Sequence, residues 1–150
     1  NGRIIIEIKS DYRILNYLQQ ELSNSTLKNS QIEIIAFDFE TLTKARQLMP
    51  DYKMLWLLDL DYSLPHWLVC VNKKRIIKKV KDGKLNGVNV WAGKVLNRNF
   101  ISTFKEAGLL VYTWTVNDKT KALELLEFGI DAITTDKAAW LTKQVSTSNI

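Results

Sequence analysis

The sequence is poor in residues that mark several functional classes. It holds one cysteine, Cys70, and one histidine, His66. No internal disulfide can form, and neither residue has the neighbours of a zinc site. We interpret Cys70 as a buried thiol and His66 as a surface or packing residue. No apolar run approaches the roughly 20 residues that cross a bilayer. What remains is a globular chain of 150 residues with 46% hydrophobic and 25% charged residues, which predicts a single domain, residues 1–150.

Positive charge is concentrated in one stretch of this chain, whose formal net charge is +5. Seven of its bases are Lys73, Lys74, Arg75, Lys78, Lys79, Lys81 and Lys84. The apolar residues between them recur at helical spacing, which predicts an amphipathic helix with a solvated basic face. A docking patch for phosphate or anionic lipid is the alternative interpretation. No aromatic residues alternate with the bases, so we expect no nucleic-acid partner.

Short β-branched runs alternate with stretches of helical period along the chain. The predicted strands are residues 4–8, 32–37, 53–57, 87–90, 109–114 and 130–134. The predicted helix-capping residues are Asp11, Asp38 and either Asn117 or Asp118. Pro50, Gly108 and Gly129 are expected to end helices. For the first helix, the spacing predicts an inward face of Ile14, Leu15, Leu18 and Leu22.

Apolar strands separated by helices indicate a parallel sheet that is covered on both faces. One βα unit averages roughly 25 residues, and eight units need about 200. The chain therefore fits either an open six-stranded sheet or a TIM (β/α)₈ barrel without its first two units. We favour the incomplete barrel, because the sequence enters a strand directly after Asn1 and Gly2. No glycine-rich phosphate loop follows a strand, which weakens the nucleotide-binding open-sheet alternative.

Few polar residues lie where the strands of such a fold end, which is where reactive side chains are found. Glu7 and Lys9 share one face of the first strand. They are interpreted either as a structural ion pair or as part of a site. Trp114 ends the fifth predicted strand, and it is either a packing residue or the wall of a pocket.

Three segments together resemble one enzyme family. Residues 5–9 read Ile-Ile-Glu-Ile-Lys, and residues 111–117 read Val-Tyr-Thr-Trp-Thr-Val-Asn. Residues 129–136, Gly-Ile-Asp-Ala-Ile-Thr-Thr-Asp, follow after one predicted helix. In this order and separation they are similar to strand motifs of the glycerophosphodiester phosphodiesterase family. Residues 34–38 resemble a further strand of that family, with Ala36 where serine is usual.

The resemblance implies a (β/α)₈ barrel that hydrolyses glycerophosphodiesters to sn-glycerol 3-phosphate and an alcohol, an activity of lipid and glycerol metabolism. It also implies a divalent cation, Mg²⁺ or Ca²⁺, on the phosphate. By motif, Glu7 corresponds to a metal ligand and Lys9 to a base near the phosphate. Phe37 corresponds to an apolar pocket residue, and Trp114 to an aromatic wall of the substrate cleft.

Other parts of the family pattern do not occur in these residues. The His-Arg-Gly motif, the Glu-x-Asp metal pair and the second histidine belong to the family's first two strands. We therefore expect no catalytic residue within this chain, little activity from residues 1–150 alone, and the missing barrel units as its partner. A non-catalytic phosphate-binding or scaffold domain derived from the same barrel stays open as an alternative, as does a phospholipase-type barrel phosphodiesterase.

Overall fold

Strands and helices alternate along the chain in the computed structural model, which describes residues 2–60 and 71–147. The strands are β1 (Ile4–Glu7), β2 (Ile32–Ala36), β3 (Lys53–Leu58), β4 (Gly87–Trp91), β5 (Leu110–Trp114) and β6 (Ala132–Ile133). The helices are α1 (Leu15–Ser23), α2 (Phe39–Leu48), α3 (Lys73–Asp82), α4 (Arg98–Glu106), α5 (Lys119–Glu127) and α6 (Ala138–Ser146). His66 and Cys70, which the sequence singled out, lie outside the described residues.

The strand order of the sheet decides between the two predicted architectures. Within the described residues the sheet has six strands, in the order of the chain from β1 to β6. β1 with β2, β2 with β3, and β5 with β6 are parallel pairs. A doubly wound sheet places its first strand among the others, whereas parallel strands in chain order are the pattern of a (β/α)₈ barrel. The prediction of an α/β barrel with six βα units is thus confirmed.

The chain divides into two compact units, of which the first is Asn1–Leu57 with Arg75–Val88. Its β2 is buried at every position, as expected for a strand covered on both faces. The core side chains without measurable exposure include Ile32, Ile34, Leu42, Met54, Leu55 and Val80. Glu33 is also buried, and its carboxylate accepts a hydrogen bond from the Lys53 ammonium at 2.9 Å.

The second unit is Leu58–Lys74 with Asn89–Ile150. Its largest buried side chains belong to α4, where Phe100 and Phe104 stack with ring centroids 4.5 Å apart. Gly108 and Gly129 lie two residues after the last residues of α4 and α5. Their φ angles of +76° and +86° suit glycine and confirm the predicted helix ends.

Two predicted elements differ from the structure. Asp11 caps a 3₁₀ turn, Tyr12–Ile14, so that α1 begins only at Leu15. The tighter turn rotates Ile14 outward, and it is 40% exposed instead of packed inward. The last strand is shorter than residues 130–134, because only Ala132 and Ile133 pair with β5. Among the described helices, none has the length and apolarity to span a bilayer.

Candidate functional site

The end of β1 presents the two charged residues that the sequence predicted. Glu7 is the last residue of the strand, and the Lys9 ammonium lies 3.8 Å from its carboxylate. The Glu7 side chain is 33% exposed and that of Lys9 80%. An exposed ion pair at this distance contributes little stability. The predicted ion pair is thus present but adds little stability, and both side chains are accessible to solvent.

The end of β2 presents Phe37 at the same edge of the sheet. β1 and β2 pair in register up to Glu7 opposite Ile35, so the residues that follow, Lys9 and Phe37, emerge side by side. The Phe37 residue is 49% exposed, so its ring is accessible from solvent at this edge. Its carbonyl accepts a hydrogen bond of 2.9 Å from the Trp56 indole.

The residue after Phe37 anchors this strand end to the next helix. The Asp38 carboxylate accepts hydrogen bonds from the Thr41 backbone N–H at 2.8 Å and the Thr41 hydroxyl at 2.5 Å. These bonds, the hydroxyl's first, lower the pKa of Asp38 below its usual value. Asp38 is thereby the N-cap of α2, as predicted. Two features therefore fix the backbone at Phe37. One is the helix cap formed by the next residue, Asp38, and the other is the hydrogen bond from the Trp56 indole to the Phe37 carbonyl.

Trp114, at the end of β5 in the second unit, is fixed by three contacts. Its indole N–H donates to the Asn89 carbonyl at 3.3 Å, and its carbonyl accepts from the Ala92 N–H at 2.8 Å. The ring meets Trp91 edge to face, with centroids 5.1 Å apart. Trp114 is only partly buried. Partial burial agrees with both predicted roles, a packing residue and the wall of a pocket.

Asn117 joins the loop after β5 to the loop after β6. Its carboxamide oxygen accepts from the Thr135 hydroxyl and from the Asp136 backbone N–H, both at 2.9 Å. Its amide group donates to the Asp136 carboxylate at 2.7 Å. Asp118 next to it caps α5. The two adjacent residues therefore have different roles. Asn117 links the two loops through its hydrogen bonds with Thr135 and Asp136, which we call the clamp, and Asp118 is the helix cap.

Three contributors to these strand ends were missed by the sequence reasoning: Trp56, Trp91 and the clamp between Asn117 and Asp136. Trp91 ends the fourth strand as Trp114 ends the fifth, and this equivalent position was the signal available in the sequence. The partner of Asn117 lies 19 residues away, beyond the reach of any local pattern.

Asn89, whose carbonyl binds Trp114, is 1% exposed, and its side-chain oxygen has no hydrogen-bond partner within residues 2–60 and 71–147.

The predicted metal ligand has no companions in the part of the chain that the structure describes. There, no group of three or more histidine, cysteine, aspartate or glutamate residues is placed to hold a metal ion. Glu7 is suited to contribute one oxygen ligand, since its carboxylate is exposed at a strand end. A hard cation such as Mg²⁺ or Ca²⁺ needs about six oxygen ligands, including waters. The described residues alone do not form such a site.

Comparisons with known proteins converge on one family. The profile of the glycerophosphoryl diester phosphodiesterase family matches residues 4–139. A Bacillus subtilis (strain 168) protein named as a candidate glycerophosphodiester phosphodiesterase, YhdW, is 36% identical over 115 residues, which are 77% of this chain and 44% of that protein.

Solved structures agree in fold. The crystal structure of a candidate glycerophosphoryl diester phosphodiesterase from Silicibacter pomeroyi is similar with a TM-score of 0.80 and 17% identity, over 97% of this chain and 50% of that one. An Oleispira antarctica phosphodiesterase in complex with its product sn-glycerol-3-phosphate is similar with a TM-score of 0.78 and 18% identity, over 96% and 55%. The chain thus spans about half the length of the proteins that it matches.

Proposed function

Because the chain belongs to the glycerophosphoryl diester phosphodiesterase family, we propose that the protein hydrolyses glycerophosphodiesters to sn-glycerol 3-phosphate and an alcohol. The observation that carries this proposal is the match of the family profile to residues 4–139. The positions of the candidate residues agree with it. Glu7, Lys9, Phe37 and Trp114 each lie at or just beyond the carboxyl end of a strand, where barrel enzymes hold their substrates.

Each of these residues has a task that its surroundings permit. We propose that the exposed Lys9 ammonium attracts the phosphate, since a flexible cation in solvent contributes charge without a large desolvation cost. Phe37 and Trp114 offer apolar and aromatic surface to the carbon skeleton of the substrate. The firm attachment of Trp114 to Asn89 and Ala92 keeps that surface in one place.

Metal dependence is part of the proposal. Glu7 would contribute one ligand to Mg²⁺ or Ca²⁺, and further ligands would have to come from residues other than those described. A cation bound to the phosphate polarises its oxygens and offsets charge as the P–O bond breaks. Residues 1–150 hold one histidine, whereas the family pattern uses two for proton transfer. We therefore propose that these residues alone do not hydrolyse the diester.

The test compares the full-length protein with residues 1–150. Both are incubated with glycerophosphocholine, with added Mg²⁺ or Ca²⁺ and with a chelator, and release of sn-glycerol 3-phosphate is measured. We expect release by the full-length protein only, and its loss with the chelator. If the chelator does not change the release of sn-glycerol 3-phosphate, the proposed metal dependence is wrong.

A second candidate function is a non-catalytic phosphate-binding domain. It is favoured by Ala36, a fully buried alanine at the position where serine is usual in the family. Calorimetric titration with sn-glycerol 3-phosphate separates the two functions. Binding by a full-length protein that releases no product would establish the second.

A further inference from the structure

The net positive charge of the chain resides in a single segment. Residues 73–84 contain seven bases and one acid, while the rest of the chain contains fourteen bases and fifteen acids. Away from this segment the chain is therefore close to neutral. Five of the bases, Arg75, Lys78, Lys79, Lys81 and Lys84, are exposed and belong to the first unit. We call these five side chains the basic surface.

The other side of α3 is already occupied by the protein itself. Val80 has no measurable exposure. Gly83, directly after the helix, approaches Phe39 of α2 so closely that a Cβ atom would lie 2.9 Å from the ring. The other two apolar residues of the helix, Ile76 and Ile77, are half-buried, and its exposed positions are charged. We therefore expect the basic surface to attract a partner chiefly by charge.

Internal contacts use part of this charge. The Lys78 ammonium lies 2.6 Å from the Asp82 carboxylate. Lys79 lies over two aromatic rings, 4.3 Å from the centroid of Phe39 and 4.5 Å from that of Trp56. Residues 73–84 contain six more bases than acids, so this part of the chain carries an excess of positive charge. Such an excess destabilises the folded chain by self-repulsion unless an anionic partner offsets it.

The kind of base indicates the kind of partner. Four of the five members are lysines, whose ammonium groups act as hydrated point charges on flexible stems. Recognition of one phosphate or of a base edge favours arginine, with its planar, two-pronged hydrogen bonding. Binding of single-stranded nucleic acid also needs aromatic platforms among the bases, and the exposed face of α3 has none. Clustered lysines on an amphipathic helix are instead typical of attraction to acidic lipid.

We propose that the basic surface docks the protein reversibly on an anionic lipid bilayer. Several ammonium groups are attracted to the acidic headgroups at the same time. The surface therefore does not recognise one particular lipid. It needs neither Glu7 nor Trp114, so it does not depend on the proposed hydrolysis. It would keep the enzyme next to membranes, where glycerophosphodiesters arise when phospholipids lose their acyl chains.

Co-sedimentation of the full-length protein with vesicles tests the proposal. The vesicles contain phosphatidylcholine alone or phosphatidylcholine mixed with phosphatidylserine, at physiological salt. We expect binding to the acidic vesicles that weakens as salt is raised. The triple variant Lys78→Gln, Lys81→Gln, Lys84→Gln should lose about 100-fold in affinity, from the attraction that each lysine contributes near an acidic membrane.

The matched control is the triple variant Lys28→Gln, Lys94→Gln, Lys143→Gln. It removes the same charge from exposed lysines outside the basic surface and should retain most of the wild-type affinity. Thermal unfolding checks that both variants fold. Equal losses in the two variants would overturn the proposal, because net charge alone would then explain binding. Stronger retention on duplex DNA than on acidic vesicles at the same salt would also overturn it, in favour of a nucleic-acid surface.

Discussion

The strand ends of the two units are held in different ways. At the end of β1, Glu7 and Lys9 approach to 3.8 Å with both side chains in contact with solvent. At the end of β5, Trp114 is held through its indole N–H and its backbone carbonyl, and Asn117 binds the following loop through three hydrogen bonds. The charged residues Glu7 and Lys9 are loosely held, and Trp114 is firmly attached.

The proposed roles of these residues would account for this difference. A charged side chain in solvent can move to contact a phosphate or a cation, and it stays hydrated as long as no ligand is bound. An aromatic wall attracts through close contact, which falls off within an ångström of misfit. It therefore has to be fixed in advance. Perturbing the second unit should cost both stability and substrate use, whereas perturbing Glu7 should cost activity alone.

The largest effect is expected for Trp114→Ala. Truncation of a buried tryptophan to alanine lowers the unfolding free energy by about 3 to 5 kcal/mol. Because Trp114 is only partly buried, we expect a loss of about 3 kcal/mol. We also expect kcat/KM to fall in the folded fraction. Denaturant unfolding and kinetics on the full-length variant measure the two losses.

The control for Trp114 is Trp140→Ala, a change at a tryptophan of α6 that is 44% exposed. It should affect stability less and kinetics not at all. Unchanged kinetics in the folded fraction of Trp114→Ala would assign Trp114 to packing.

The next effect is expected for Glu7→Gln in the full-length protein. An amide is an uncharged and poorer ligand, and loss of a metal ligand or its support typically costs about 10- to 100-fold. Stability should change little, since the ion pair with Lys9 is exposed. Activity is titrated with Mg²⁺ and Ca²⁺, and Glu21→Gln, an exposed glutamate on α1, is the control. A Glu7 variant as active as that control would exclude Glu7 from the site.

A smaller effect is expected for Asn117→Ala. The change leaves the Asp136 N–H and the Thr135 hydroxyl without their acceptor, and we expect a loss of about 1 to 2 kcal/mol. Because the clamp joins the loops after β5 and β6, substrate use should decline as well. Asn117→Asp keeps the acceptor but sets a carboxylate against that of Asp136. It should be destabilised by this repulsion, and added salt, which screens the repulsion, should recover part of the loss. Equal behaviour of the two variants at all salt concentrations would contradict the clamp.

Local chemistry explains which features were predictable. Asp38 as a cap and Gly108 and Gly129 as helix ends were predicted correctly, because each depends on the residue itself and its nearest neighbours. The choice between Asn117 and Asp118 as the cap stayed open, since both residue types cap helices. Only the distant partners Thr135 and Asp136 decide it.

The same reasoning failed where geometry overrides pattern. Ile14 fits the apolar period of a helix but falls in a 3₁₀ turn, which presents it to solvent. Ile130 is buried, as a strand residue would be, yet it precedes the two-residue β6. For the site, the motifs identified positions at the strand ends, whereas the contacts of Trp91 and Trp56 could not be deduced from residue types.

The smallest effect tests the helix cap that follows the end of β2 in the first unit. Asp38→Ala removes the cap of α2, and we expect a loss of about 1 kcal/mol at neutral pH. Folding lowers the pKa of Asp38 below its usual 3.8, chiefly through the Thr41 hydroxyl. The charged cap therefore stabilises fully above that usual value and loses its contribution as the pH falls through the lowered folded pKa. The gap in unfolding free energy between wild type and Asp38→Ala should then narrow in strong acid. Asp38→Asn keeps an acceptor oxygen but cannot titrate. At neutral pH its unfolding free energy should be closer to that of wild type than the unfolding free energy of Asp38→Ala is. The difference in unfolding free energy between Asp38→Asn and Asp38→Ala should not narrow in strong acid. A gap that stays constant into strong acid would show that the negative charge of Asp38 adds nothing to what its hydrogen bonds with Thr41 already contribute.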